Sequence, residues 1–208
     1  MNTEERQRVE IVAPSEVVLS ARATMGAIDF DPFATVDGNR LIQAARFYDR
    51  EENDIDDLTA REWNGNRTFI APIGGAQVTR RLLNKLLLEY RSGRIDEAVI
   101  WLTHNESLIR LPWLWSFPIC MPFRRLRPTW YDDETNLFRT VSPAFWSTVI
   151  YMPPIIDLDA GEQSAEKVMR FYAAFSALGR IVHDTENGSD DWEDAYDVLT
   201  GKPFNYRG

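Results

Sequence analysis

Residues 65–102 read GNRTFIAPIGGAQVTRRLLNKLLLEYRSGRIDEAVIWL and decide the fold of this chain. Residues 68–70 are predicted to form a short buried strand, and residues 76–90 have the apolar spacing of an amphipathic helix. Residues 98–102 are continuously apolar, which indicates a strand buried on both faces. Because a strand–helix–strand unit closes as a right-handed parallel crossover, we expect an α/β fold with a mostly parallel sheet and flanking helices.

The loop between that strand and that helix is where we expect a ligand. Open α/β sheets bind ligands outside the carboxyl ends of their strands. Ala71, Pro72, Ile73 and Gly74 stand at this place, and none of them has a side chain that can donate, accept or transfer a proton. The loop therefore offers its main chain only.

Length and charge limit the class of protein. A chain of 208 residues predicts one domain, here residues 12–183, with a flexible segment 1–11 and an acidic tail 184–208. The net charge of −9 argues against an independent DNA-binding protein, which usually has a basic face. The single cysteine, the absence of a signal peptide and the absence of a long apolar run predict a cytoplasmic protein without membrane contact.

Capping residues, turn residues and apolar spacing predict the other elements. In chain order, we expect a helix 15–25 capped by Ser15, a strand 28–32, a helix 40–48, an acidic loop 49–57, a helical turn 59–63, a strand 119–123, a polar loop 132–140, a strand 147–152, a helix 164–177 and a strand 180–183. The acidic loop lacks the spacing of a calcium-binding loop, so no metal site is expected there.

Ordered motifs along residues 12–182 match a known family. They lie in APSEVV (13–18), IDFDPFATVDGN (28–39), the positions Tyr48, Asp57, Leu58, Trp63 and Gly65, the run NKLLLEYRSGRIDEAVIWL (84–102), and the positions Phe171, Phe175, Leu178, Gly179 and Ile181. In their order and spacing, the chain resembles the phage-type DNA adenine N-6 methyltransferases. These are Rossmann-like proteins that use S-adenosylmethionine.

The resemblance implies a cofactor site and its residues. Pro14, Asp31, Pro32, Asn39 and Asp57 would bind S-adenosylmethionine, with Asp31 near the amino group of its methionine part. Two alternatives remain open at this stage. The Asp31 carboxylate can instead cap the next turn, and Asp57 can be a solvated loop acid.

The chain departs from the family at the loop after the central strand. The family has an N-P-P-Y type motif there, whose polar side chain and a main-chain carbonyl accept hydrogen bonds from the adenine amine, while the aromatic ring stacks on the flipped base. Ala71 replaces the Asn, Pro72 keeps the first Pro, Ile73 replaces the second, and Gly74 replaces the Tyr. We therefore expect adenine methylation to be lost or severely impaired.

Two clusters are candidates for partner contacts. Arg124, Arg125 and Arg127 could contact DNA phosphates, or could pair with the nearby acids 132–134. The aromatic side chains around Pro112 could form the core or a protein interface; they are Trp113, Trp115 and Phe117.

Three functions follow from these features. The first is a catalytically impaired methyltransferase-like protein that acts by binding a protein or nucleic-acid partner. The second is an active S-adenosylmethionine-dependent enzyme with altered chemistry, in which Asn105 or Asp31 stands near the transferred methyl group. The third is an acidic DNA-mimicking or host-directed interaction protein whose tail binds the partner. All three place it in the cytoplasm of a bacterium or a phage-infected cell.

Overall fold

The computed structural model describes residues 12–142, 145–157 and 162–183. The predicted N-terminal segment 1–11 and the acidic tail 184–208 lie outside these residues. The helices are α1 (Ser15–Met25), α2 (Val36–Ile42), α3 (Ile55–Ala60), α4 (Ala76–Arg91), α5 (Ser107–Arg110), a 3-10 helix (Pro112–Ser116) and α6 (Ala165–Phe175). The strands are β1 (Phe30–Ala34), β2 (Arg46–Asp49), β3 (Arg67–Ile70), β4 (Glu97–Leu102), β5 (Ile119–Pro122), β6 (Thr129–Asp132), β7 (Leu137–Thr140), β8 (Thr148–Met152), β9 (Ile155–Asp157), β10 (Glu162–Gln163) and β11 (Gly179–Val182).

A seven-stranded mixed sheet with the order β11-β5-β8-β4-β3-β1-β2 forms the centre of the molecule. The neighbours β2, β1, β3 and β4 are parallel, as the crossover from β3 through α4 to β4 predicts. The expectation of a mostly parallel sheet is wrong beyond β4, because β8 enters antiparallel between β4 and β5, and β11 is antiparallel to β5. The connection from β5 to β8 contains a hairpin instead of a crossover helix, so it returns the chain in the opposite direction.

Helices cover both faces of the sheet. On one face, α4 buries the leucines 82, 83, 86 and 87 against β4, which is buried along its whole length as predicted. On the other face, α1 and α6 bury Val17, Val18, Phe171 and Phe175 against Trp101 and Tyr151. The amphipathic spacing of these helices therefore accounts for the three layers.

The predicted bounds of α1 are confirmed, but its cap is not. Helix α1 begins at Ser15, and Pro14 occupies the capping position without a side-chain hydrogen bond. Ser15 is already helical, so its hydroxyl is not placed as a cap. Gly26 ends the helix at a φ of 88°, a conformation that favours glycine.

The region from β1 to β3 corrects three predictions. The helix expected over 40–48 is instead α2 followed by strand β2, because Gln43 adopts a left-handed φ of 51° that ends the helix. Strand β1 begins two residues later than expected and includes Pro32. Helix α3 begins at Ile55, within the expected acidic loop, because Asp54 caps it by accepting a hydrogen bond from the amide of Asp57.

The loop expected over 132–140 is largely a β-hairpin. Strands β6 and β7 pair antiparallel with Tyr131 opposite Phe138, and the two rings are in contact at 5.2 Å between centroids. Asn136, at a φ of 54°, lies in the turn. None of the described helices has the length and apolar character to cross a membrane.

Candidate functional site

The order of the parallel strands changes direction between β1 and β3. From β1 the chain passes to β2 on one side and then returns to β3 on the other. Such a change opens a crevice at the carboxyl edge of the sheet, where ligands of open α/β proteins bind. Asp31 is the second residue of β1 and Ala71 directly follows β3, so both belong to the two strands that flank this crevice.

The loop after β3 uses its own main-chain carbonyls within the protein. The carbonyl of Ala71 accepts a hydrogen bond from the amide of Ile73 at 2.8 Å, and that of Pro72 accepts one from the hydroxyl of Thr79 at 3.4 Å. The carbonyl of Gly74 accepts a hydrogen bond from Nε2 of His104. Three main-chain carbonyls of this loop therefore already accept hydrogen bonds from groups of the protein itself.

Asp31 is the buried charged group of the crevice, with 1% of its surface exposed. Its Oδ1 accepts a hydrogen bond from the amide of Phe33 at 2.8 Å, while Oδ2 has no hydrogen-bond partner in the described part of the chain. Burial raises the pKa of Asp31 to about 7, although the Phe33 amide and the charge of Arg50 oppose the shift. This bond lies within β1, whereas Thr35 caps the following helix α2, so Asp31 does not cap the next turn. Its Oδ2 remains available for a donor or a cation.

The other predicted cofactor residues do not form one set with Asp31. The side-chain amide of Asn39 forms two hydrogen bonds with the main chain of Ala44. Its Oδ1 accepts from the amide of Ala44 at 2.9 Å, and its Nδ2 donates to the carbonyl of Ala44 at 3.2 Å. Asp57 is an exposed residue in the first turn of α3, and Pro32 is buried next to Asp31 in β1. Pro14 lines a different cleft, described below.

Asn105 follows β4, the strand next to β3, as expected. Its Oδ1 accepts a hydrogen bond from the hydroxyl of Thr148 at 3.3 Å. Thr148 begins the antiparallel strand β8, so this bond joins the carboxyl end of β4 to the start of β8. Asn105 is half-buried and lies at the same edge of the sheet as the loop after β3.

The arginine cluster follows β5 and lines a cleft of about 620 Å³. Pro14, Ser15 and Glu16 at the start of α1 form its other wall, with Thr140 at one end. Arg124 pairs with Glu16 at 2.8 Å, and the guanidinium carbon of Arg125 lies 5.7 Å from the ring centroid of Trp146. Pairing with the acids 132–134 is therefore wrong, and Asp132 pairs with Arg139 instead.

The aromatic side chains after Pro112 divide between core and surface. Trp113 and Phe117 are buried in the core on the α4 side of the sheet, so they are not a surface for a partner. Trp115 is partly exposed, and its indole N–H donates to the carbonyl of Leu108 at 2.9 Å. Of these three aromatic residues, only Trp115 can therefore contribute to a protein interface.

Sequence reasoning missed two exposed aromatic residues beside the arginines, Phe123 and Trp146. For Phe123, the last residue of a predicted strand, the available clue was its position directly before a run of arginines. Trp146, directly before the predicted strand 147–152, gave no signal of exposure.

Neither a comparison with protein-family models nor one with curated proteins gave a match for this chain.

Proposed function

We propose that this chain is a methyltransferase-like protein, similar to the phage DNA adenine N-6 methyltransferases, that no longer methylates adenine and acts by binding a nucleic-acid or protein partner. The observation that supports the proposal is the loop after β3. It stands at the crevice where the family's reaction takes place, and it offers neither a polar side chain nor a ring. Residues 71–74 are the degenerate catalytic motif.

The losses at this loop are large on the scale of a catalysed reaction. Removing one hydrogen-bonding group that acts in the transition state costs about 3–4 kcal/mol, or two to three orders of magnitude in rate. Loss of a stacking ring costs roughly 1–3 kcal/mol per base. The main-chain carbonyls of Ala71, Pro72 and Gly74, which accept hydrogen bonds within the protein, are poor replacements for the missing acceptor.

The crevice still fits one part of the family's cofactor. When bound, S-adenosylmethionine would supply the activated methyl group, and its methionine part has a cationic amino group. Asp31, with an unpartnered buried Oδ2, is the residue that would hold that group. Asn39 does not fit a cofactor role, because its amide is bonded to Ala44.

The fold supports the proposal in general terms. A sheet whose strand order changes direction between β1 and β3 and whose faces are covered by helices is suited to a Rossmann-like methyltransferase scaffold. The antiparallel strands β8 and β11 extend this scaffold on the side of the arginine cleft. Ligand crevice and cleft thus lie at one edge of the sheet.

Isothermal calorimetry with S-adenosylmethionine tests the cofactor part of the proposal. Wild-type protein is expected to bind, Asp31→Ala to lose binding, and Asp57→Ala, which removes an exposed acid, to bind as the wild type does. No heat of binding at millimolar ligand would show that the cofactor site is lost. Equal binding by Asp31→Ala would remove Asp31 from the site.

A second candidate is an active enzyme with altered chemistry at Asn105. The observation that favours it is the position of this amide at the end of β4, beside the loop after β3, with a bond to Thr148 that fixes it. Asn105→Leu would then abolish turnover on whichever substrate is found, while Thr148→Val would reduce it. Unchanged turnover in Asn105→Leu would exclude this candidate.

A further inference from the structure

Two exposed aromatic residues lie next to the arginine cluster, one at the end of β5 and one before the start of β8. Phe123 is 70% exposed and Trp146 is 50% exposed. The β5–β8 register pairs Cys120 with Val149, and three residues further along each strand it reaches Phe123 and Trp146. Both residues therefore stand at the carboxyl edge of the sheet, Phe123 next to Arg124 in the chain and Trp146 with its ring under the guanidinium of Arg125.

The segment that carries Phe123 and the arginines is held firmly by its neighbours. The amide of Phe123 donates to the carbonyl of Leu178 at 3.0 Å, and Leu126 is buried in the core. Further along the chain, Thr129 pairs with Val12 through main-chain hydrogen bonds in both directions. The exposed side chains between these anchors thus project from a fixed backbone, so binding a ligand has to order the side chains but not the main chain.

The three arginines of the cleft differ in whether they are paired with a carboxylate. Glu16 pairs with Arg124 and is the only acidic side chain that lines the cleft within the described part of the chain. Arg125 packs over the Trp146 ring, and within the described residues neither it nor Arg127 has an ion pair with a carboxylate. Two of the three guanidinium groups can therefore contact an anion without first giving up a carboxylate.

We propose that Phe123 and Trp146 are a stacking platform for the bases of a single-stranded nucleic acid, whose phosphates bind Arg125 and Arg127 in the adjacent cleft. Exposed rings beside a basic groove are the arrangement that binds single strands, because every unpaired base offers a flat face. In a duplex those faces are covered by neighbouring bases. Single strands are therefore preferred to duplexes.

This inference names the partner in the proposed function, but it does not depend on the cofactor or on the loss of methyl transfer. The test is fluorescence anisotropy of a labelled dT strand, about 12 nucleotides long, with the full chain. An abasic strand of equal length has the same phosphates without bases, and a duplex of equal length has bases without free faces. We expect dT to bind more tightly than both.

Variants assign the binding to the rings. Trp146→Ala and Phe123→Ala are each expected to weaken dT binding by roughly 5- to 150-fold, the range for one stacked base. Trp115→Ala, which removes a partly exposed tryptophan elsewhere, is the matched control and should leave binding unchanged. Near-ultraviolet circular dichroism checks that each variant is folded.

The arginines are tested by salt. On a single strand, each phosphate that the protein neutralises adds about 0.7 to the slope of log K against log salt, so Arg125→Gln and Arg127→Gln should each flatten the slope by about that amount.

Equal binding of dT and the abasic strand, or equal weakening in Trp146→Ala and Trp115→Ala, would overturn the platform. Failure of all three ligands to bind would overturn it as well and leave a protein partner. The methyl-transfer result is unaffected by any of these outcomes.

Discussion

The imidazole of His104 donates a hydrogen bond from Nε2 to the main-chain carbonyl of Gly74. This bond joins the loop after β4 to the loop after β3 across the carboxyl edge of the sheet. In the proposed resemblance, Gly74 takes the position of the family's stacking ring. Its carbonyl accepts a hydrogen bond from within the protein.

Binding of S-adenosylmethionine is expected to tighten as pH rises from about 5.5 to about 7.0. Asp31 must be ionised to hold a cationic amino group, and its pKa is raised to about 7 by burial. The ionised fraction then grows about 16-fold over this interval, while the ligand amino group stays charged. Calorimetry at the two pH values measures the change. An Asp31→Asn variant that shows the same pH dependence would contradict this assignment.

The same carboxyl group makes the fold less stable as pH rises. Because the folded pKa of about 7 lies above the ordinary value of 3.8, Asp31 favours the folded state below about pH 4, and this stability is lost as pH rises through about 7. Asp31→Asn does not titrate, so it should gain stability relative to the wild type between about pH 5 and pH 7.5, by at most about 1.4 kcal/mol per pH unit. Urea unfolding at both pH values measures the difference, and parallel pH profiles would refute it.

The salt bridge between Lys167 and Glu97 joins α6 to the start of β4. Nζ of Lys167 lies 2.7 Å from the buried Glu97 carboxylate, which also accepts a hydrogen bond from the hydroxyl of Tyr151. Lys167→Met leaves this carboxylate without its cation and should cost about 3–5 kcal/mol of unfolding free energy.

The matched control for Lys167 lies on the same helix. Arg170 pairs with the exposed Glu166, so Arg170→Met should cost less than about 0.5 kcal/mol in urea unfolding. The double variant Lys167→Met/Glu97→Gln should recover part of the loss. Equal losses of unfolding free energy in Lys167→Met and Arg170→Met would show that the Lys167–Glu97 pair stabilises the fold no more than the exposed pair does.

Gly179 allows β11 to approach β5 closely. A Cβ at this position would overlap the main-chain carbonyl of Met121, which cannot move without breaking the strand pair. Gly179→Ala should therefore cost more than about 2 kcal/mol in urea unfolding. Gly75→Ala is the control, since it meets no atom within 4 Å and has a φ of −75°, and it should change stability by less than about 0.5 kcal/mol. Similar losses in both would contradict the close approach.

Long apolar patterns predicted their elements well, whereas short elements depended on distant contacts. Helix α4 and strand β4 agree with expectation because their periodicity is strong over their whole length. Strand β2 and the β6–β7 hairpin were missed because each strand has only four residues and none is fully buried. Their pairing with neighbours, which no local pattern encodes, determines their structure.

The candidate site was predicted in part for the same reason. The loop after β3 could be placed at the sheet edge, since it follows directly from the strand that precedes it. Asp31 was expected at the end of its strand, but β1 begins at Phe30, so Asp31 lies near the start of the strand. The cleft between Pro14 and the arginines joins segments that are about 100 residues apart along the chain, so only the folded chain brings them together. The exposure of Trp146 likewise depends on how β8 enters the sheet.

Methyl transfer is the most direct test of the central claim. The pure protein is incubated with radiolabelled S-adenosylmethionine and unmethylated adenine-containing DNA, single-stranded and duplex, beside an active adenine methyltransferase as a positive control. Label in adenine is expected to stay at background. Repeated turnover with N-6 methyladenine as product would contradict it, because the loop 71–74 would then support the reaction without a side-chain acceptor or a stacking ring.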